Sequence, residues 1–241
     1  MRVVLHCHST WSYDGHWSLD AIARLYGRFG VDAVMMSEHD TGFEPARFGE
    51  YRASCAAAST ANCTLIPGIE YSSPDNDIHI LTWGMEHFLA EHRPVSETLK
   101  AVTKAGGVAV FAHPARRNAA EAYDPSWTPD LSGIELWNRK TDGIAPGDKA
   151  AQLLSETGLP ATVGQDFHRL NQLYPLAMTL PRPKGDLEAG LIAALKAGEM
   201  RPEAFRRPVY DASGQLNRTA HDRAEALRRR LRDLRNRFRG H

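Results

Sequence analysis

Apolar residues recur along this chain in two alternating rhythms. Short, nearly continuous apolar runs fall at residues 2–8, 33–37, 64–69, 78–83, 108–112, 132–137 and 161–164, each the length and composition of a buried strand. Between them lie stretches with helical spacing. Residues 19–29 place Leu19, Ile22, Ala23, Leu25 and Tyr26 on one face, behind Ser18 as a predicted N-cap, and stop at Gly30. Further helices are predicted over the Ala-rich 45–60, over 95–105 before Gly106-Gly107, and over 147–157 and 186–197; residues 174–180 read as an edge strand. Tyr13-Asp14-Gly15 and Asp75-Asn76-Asp77 mark turns. Strand and helix in alternation predict an α/β fold around a parallel sheet. Closed barrels of that kind gather their active sites at the C-terminal ends of the strands.

Ionisable residues collect at those ends. The two-residue period of a strand turns His6 and His8 to one side and Cys7 to the other. Asp14 follows in the next loop. Later strands end at or carry His39, Glu70, His79 and His113, and finally Asp166 with His168, again two apart. A single His at a strand end is most often a hydrogen-bonded core or rim residue. Six imidazoles and three carboxylates on one rim are not explained that way. Crowded and buried together, they would cost on the order of several kcal/mol unless paired or metal-bound. A metal site is the expectation.

Composition modifies the picture in two places. The 241 residues are 42% hydrophobic, enough for one large domain with a sizeable core, and the formal net charge is zero. That zero hides an asymmetry: residues 218–241 hold nine Arg against three acidic residues, about +6, which leaves residues 1–217 at about −6. In this tail Leu227, Leu231, Leu234 and Phe238 fall at helical spacing, which predicts an Arg-rich amphipathic C-terminal helix or tail. Its candidate partners are the body of the protein, a second copy, an anionic lipid surface or nucleic acid, the last without the aromatic interleaving that such surfaces carry. Cys7, Cys55 and Cys63 have no metal-finger spacing and no even-numbered framework. With no leader-like N-terminus and no apolar run long enough for a membrane span, the expected setting is reducing and cytoplasmic.

The ordered set Leu5-His6-Cys7-His8-Ser9 with Asp14-Gly15, Ser37-Glu38-His39-Asp40, Gly68-Ile69-Glu70, Ile78-His79-Ile80, Ala112-His113-Pro114 and Gln165-Asp166-Phe167-His168 resembles the motif series of the polymerase and histidinol phosphatase (PHP) domain family, over about residues 1–180. The resemblance implies a distorted (β/α)7 TIM-like barrel, here over residues 1–217, with a trinuclear metal centre that hydrolyses phosphate esters. It implies that His6, His8, Glu70 and Asp166 hold one metal, that Glu70 bridges to a second completed by His79 and His113, and that Asp14, His39 and His168 hold the third. Glu38 departs from the Asp that the family usually places before the His. The interval from Glu70 to His79 is short, without a long inserted domain.

Nitrogen and oxygen donors of this kind suit zinc, manganese or iron. Two or three such cations acidify a bridging water, clamp the phosphate oxygens and stabilise the leaving alkoxide, so no nucleophilic side chain is required. Ser9 lacks a base and Cys7 faces away. Asp40 is a candidate for orienting a ligand or protonating a leaving group, His16 for contacting substrate, and Arg116 for binding phosphate, with Arg117, Arg139 and Arg169 as further candidates. Trp11 and Trp137-Asn138 are candidates for an apolar wall. The expected activity is hydrolysis of a phosphomonoester, with a small phosphorylated metabolite or nucleotide as substrate. The alternatives are a phosphodiesterase or 5′–3′ exonuclease acting on short oligonucleotides, and a non-catalytic metal-binding module acting through the basic tail. Amide or ring hydrolysis on a related barrel would call for a metal-bridging Lys, a place that Glu70 takes here.

Overall fold

The computed structural model describes residues 1–211, 214–217, 226 and 230, so the amphipathic helix expected in the tail lies outside the described residues apart from those two positions. In chain order the elements are β1 (Arg2–Cys7), α1 (Leu19–Arg28), β2 (Ala33–Met35), β3 (Glu38–His39), α2 (Phe48–Ala58), β4 (Thr64–Ile66), β5 (Gly68–Ser72), β6 (His79–Trp83), α3 (Val95–Lys104), β7 (Val108–Phe111), β8 (Gly133–Asn138), α4 (Asp148–Thr157), β9 (Ala161–Phe167), β10 (Leu176–Thr179), α5 (Leu187–Lys196), β11 (Arg201–Ala204) and β12 (Arg207–Pro208). It is a mixed α/β fold around one central sheet.

From β1 to β10 the strands are buried along nearly their whole length, as their near-continuous apolar runs require. β1 is the hub. It pairs in parallel with β2 on one side and with β9 on the other, while β10 runs antiparallel beside its first residues. β2 pairs with β4 and β3 with β5; β7, β8 and β9 follow in parallel order. Followed from β1 through β2 and the β4–β5 segment to β6, β7, β8 and β9, the pairings lead back to β1. The helices bury one face each against this sheet, α1 through Leu19, Ile22, Ala23 and Tyr26.

Three sequence expectations need correction. The sheet is not wholly parallel, because β6 is antiparallel to both β5 and β7. The cause is the polar turn before it. Ser73 receives the N–H of Asn76 on its carbonyl (2.8 Å) and the N–H of Ile78 on its hydroxyl (3.0 Å), so the chain folds straight back as a hairpin without room for a crossover helix. Residues 33–37 and 64–69 each predict one strand, yet each is interrupted. Pro67 has no N–H to give to a ladder. Beside it Gly68 is obligatory: a Cβ there would lie 2.2 Å from Cδ1 of Trp83 and 2.4 Å from the Met36 carbonyl, which accepts the Trp83 indole N–H at 2.7 Å. Finally, β10 is no edge. It lies between β1 and β11, and the sheet continues into β12. Pro202 and Pro208 hide these last strands from a sequence reading.

Candidate metal centre

The parallel strands all deliver their C-terminal ends to one rim, and the β5–β6 hairpin brings the first residue of its returning strand there too: His79 pairs with Ser72, two residues beyond Glu70. Antiparallel direction is therefore what places His79 at the rim. Three other rim residues have left-handed backbones, His6 (φ +63°), His113 (φ +30°) and Asp166 (φ +49°). Such conformations cost non-glycine residues on the order of 1–3 kcal/mol and persist where the surroundings dictate them. Between β1 and β9 the register jumps, Leu5 pairing with Gly164 but Cys7 with Phe167, so that His6 and Asp166 sit together in a bulge. His6 and His8 do converge, with ring centroids 5.2 Å apart. They do so through this bulge and not through an undisturbed pleat.

Glu70 is the centre of the cluster. Its Oε1 lies 2.7 Å from Nδ1 of His79, 2.9 Å from Nε2 of His113 and 3.4 Å from Nε2 of His6; its Oε2 lies 3.1 Å from Nδ1 of His39 and 3.4 Å from Nε2 of His8. Oδ1 of Asp166 is 3.6–3.7 Å from the same His6 and His8 nitrogens and 3.3 Å from Nδ1 of His168. Asp14 joins from the loop, 3.3 Å from Nε2 of His39 and 3.1 Å from Nε2 of His168. All nine candidate ligands thus meet in one neighbourhood. Within it, three sets have donor atoms that all lie within 4.8 Å of one another: His6, His8 and Asp166; His6, Glu70 and His113; and His8, His39 and His168.

Charge and solvation explain why such a cluster suits cations. Burial works against a charge on Glu70, but His79, His6, His113 and His39 hold its carboxyl well below the usual carboxylate range. Burial likewise opposes a proton on His39, yet Asp14 and Glu70 raise it to about 10. His8 goes the other way: burial, then the neighbouring His39 and His168, push it well below the usual imidazole value. Nε2 of His6, Nε2 of His8 and Oδ1 of Asp14 are buried without any hydrogen-bond partner. Buried donors and acceptors are nearly always satisfied, and unsatisfied ones within a crowd of imidazoles and carboxylates fit a bound positive ion. The residues present fit the implied metal group.

Behind the cluster stands a layer that sequence reasoning only partly found. Glu135, fully buried on β8, accepts from Nδ1 of His6 (2.9 Å), the backbone N–H of His113 (2.9 Å) and the Asn138 amide (3.0 Å). Its signal is visible afterwards: it is the one charge within the apolar run 134–137. Gly164 leaves room for it, since a Cβ there would meet Oε1 of Glu135 at 1.8 Å. Glu38 accepts from the N–H and hydroxyl of Ser9 and the hydroxyl of Ser12. Lys140 reaches in from the rim, Nζ 3.3 Å from Asp166 and 3.4 Å from His168. Nothing in its local sequence distinguishes it from a surface Lys.

The remaining candidates divide. A cleft of about 290 Å³ opens over the cluster, and Arg116 lines it together with Lys140, Tyr13, Asn76, Thr41 and His92. Arg116 donates to the Asn76 carbonyl at 2.7 Å, and the Asn76 side chain lies 2.7 Å from Nε2 of His79. His92 has no strand-end context in the sequence, which is why sequence reasoning passes it over. Asp40 and His16 are outside the cleft lining. The Asp40 carboxylate accepts the backbone N–H groups of Ser72 (3.1 Å) and His92 (3.2 Å) on Oδ2 and the Thr41 hydroxyl (3.3 Å) on Oδ1, a tie between segments. His16 is exposed, and its backbone N–H bonds the His168 carbonyl. Arg139 lies over the Tyr174 ring at 5.0 Å, Arg169 caps a short helical turn, and Arg117 reaches Asp77. Trp137 and Asn138 are core, and Trp11 packs on Phe43 and Tyr51 beneath Arg47, so none of them forms a wall of the cleft. Cys7 is buried in the apolar core, where burial pushes its thiol up, and it has no part in the cluster.

No protein-family model matches the chain, and no curated protein is similar to it in sequence. Solved structures share its fold. A two-domain protein from Bacteroides vulgatus that contains a predicted PHP-like metal-dependent phosphoesterase aligns with a TM-score of 0.63 at 17% identity, over 85% of this chain and 64% of its own. PsfC from Pseudomonas syringae aligns at 0.64 and 15% identity over 94% and 98%. The lesion-specific endonuclease PfuEndoQ from Pyrococcus furiosus aligns at 0.54 and 15% identity over 81% and 56%. The chain therefore spans about two thirds or less of the Bacteroides and Pyrococcus chains and nearly the whole of PsfC.

Proposed function

We propose that this chain is a metal-dependent phosphoesterase of the PHP type, hydrolysing a phosphomonoester at a centre of three cations held by His6, His8, Asp14, His39, Glu70, His79, His113, Asp166 and His168, on a distorted (β/α)7 barrel formed by residues 1–217. The observation that carries the proposal is the convergence of six imidazoles and three carboxylates on one buried cluster in which Nε2 of His6 and Nε2 of His8 have no partner. Support for the barrel comes from strand pairings that return to β1. Support for the chemistry comes from the shared fold with a PHP-like phosphoesterase and an endonuclease.

Divalent zinc, manganese or iron, bound there, would supply Lewis acidity toward water and phosphate oxygens. The chain's own residues do the rest. Glu70, with both oxygens facing imidazoles, ties the subsites together. Lys140 and Arg116 stand at the mouth and neutralise phosphate oxygens that face solvent. Cys7, Cys55 and Cys63 are all free and buried, in keeping with a reducing, cytoplasmic setting, and no helix among the described residues is long and apolar enough to cross a membrane.

A second reading is a diesterase acting on the end of an oligonucleotide. Tyr13 favours it: the ring is 74% exposed at the cleft mouth, stacked on His39 with centroids 5.0 Å apart, and presents a face to a base. The test is a metal-supplemented hydrolysis screen of nucleotides, sugar phosphates and short oligonucleotides beside the His8→Ala protein. Turnover by the wild type alone supports the proposal; equal rates for the two proteins on the best substrate overturn it. Preference for oligonucleotides over every monoester would select the second reading.

A further inference from the structure

We infer that Glu38, acting through Ser12, is a positioning residue that locks the ring of His8 in the tautomer with hydrogen on Nδ1, so that Nε2 faces the cation site as a free lone pair. The inference rests on the metal centre proposed above and adds to it the device that orients one of its ligands.

The argument is a count of hydrogens around one hydroxyl. Oγ of Ser12 has three polar neighbours: Oε2 of Glu38 at 2.6 Å, the backbone N–H of His39 at 3.0 Å and Nδ1 of His8 at 3.3 Å. A hydroxyl offers one hydrogen and two lone pairs. The His39 amide can only donate. Burial pushes the Glu38 carboxyl up, but it already receives the N–H and the hydroxyl of Ser9, the latter at 2.7 Å, so with Ser12 three donors aim at its two oxygens, an arrangement that the carboxylate form satisfies in full. The hydrogen of Ser12 therefore goes to Glu38, and both lone pairs are left to accept. One takes the His39 N–H. The other takes a hydrogen from Nδ1 of His8, which leaves Nε2 bare. That Nε2 is buried with no hydrogen-bond partner, 3.4 Å from Glu70 and 3.6 Å from Asp166.

His6 reaches the same end by a shorter route, since its Nδ1 bonds Glu135 directly at 2.9 Å. Ring-nitrogen partners of this sort set the tautomer of metal-ligating His and tune its affinity. Glu38→Gln keeps the shape but introduces a donor. Its amide N–H toward Ser12 would turn the Ser12 hydrogen onto Nδ1 of His8 and move the ring hydrogen to Nε2.

The experiment uses the full chain loaded with zinc. Zinc affinity and stoichiometry are measured by competition with a chelator for the wild type, Ser12→Ala, Ser12→Thr and Glu38→Gln, and the His8 ring nitrogens are read from long-range 1H–15N spectra. The expected result is a loss of about 10–100-fold in the affinity of one zinc ion in Ser12→Ala and Glu38→Gln. Ser12→Thr, which keeps the hydroxyl, should restore it, and the wild-type spectrum should show hydrogen on Nδ1. Wild-type zinc affinity in both Ser12→Ala and Glu38→Gln, or a wild-type spectrum with hydrogen on Nε2, overturns the inference and leaves the metal centre standing. A wild type that takes up no zinc, manganese or iron overturns both. If Glu38→Gln does not fold, the Ser12 pair decides alone.

Discussion

Two sets of carboxylates, all of them buried except Asp14, share one rim, and they are solvated in opposite ways. Glu70, Asp166 and Asp14 face imidazole nitrogens, several of them at 3.3–3.7 Å, and buried atoms around them have no partner. Glu38, Glu135 and Asp40, one layer back, accept from backbone N–H groups, hydroxyls and an amide at hydrogen-bonding distance. A carboxylate surrounded by donors is stable in the dry interior without further help. One surrounded by bases is not, unless protons or cations lie between. The outer set is complete as it stands, and the inner set is one that cations would suit.

That difference can be broken at either layer. The largest effect is expected from Glu70→Ala, which removes the group facing five imidazoles: hydrolysis should fall on the order of 10⁴-fold, as when a member of a concerted catalytic set is deleted. Metal analysis of the purified protein should show lost cations together with lost rate, and a variant that retains both would erase the inner set's distinction. Glu135→Ala comes next. It strips the acceptor from His6 and from the His113 amide, so metal affinity should weaken about 10–100-fold. Stability should fall by about 1–3 kcal/mol, read by urea unfolding with a chelator present. A loss of stability at unchanged affinity would reduce Glu135 to scaffold alone.

The smallest effect belongs to Asp142, which sharpens the comparison as a partly buried carboxyl with too few donors. It accepts the Asn138 N–H at 2.8 Å, and burial pushes its pKa up to about 6. Below its unfolded value of 3.8 it is protonated in both states. As pH rises from there to about 6 the unfolded chain releases the proton first, so this group's contribution to stability declines and then levels off. Asp142→Asn should remove that decline, so the Tm of the variant relative to wild type should rise by several °C between pH 4 and pH 7. Parallel Tm profiles for the two proteins would show that Asp142 carries no such penalty.

The inner set was legible before any fold was known, because metal-ligand chemistry uses few residue types and the strands announce their ends. His6 with His8, and Asp166 with His168, stand out by spacing alone. The outer set was largely hidden. Glu38 stands out in the sequence only as a departure from a motif, and Asp40, a candidate for chemistry, ties two backbone segments together. Glu135 reads as an anomaly within an apolar strand and Lys140 as ordinary surface. Arg139, a candidate for phosphate, lies over Tyr174.

By itself the sequence determined the five helices and most of the strands as far as β10, since burial periodicity is a property of neighbours along the chain. It determined as well that a set of imidazoles and carboxylates suited to metal binding lies at the strand ends. Only the tertiary structure decided that β6 turns back against its neighbours, that a bulge gathers His6 with Asp166, and which carboxylates serve the site from behind. Those outcomes depend on contacts such as that between His6 and Glu135, 129 positions apart, and no local pattern specifies which distant residue will come to lie 2.9 Å away.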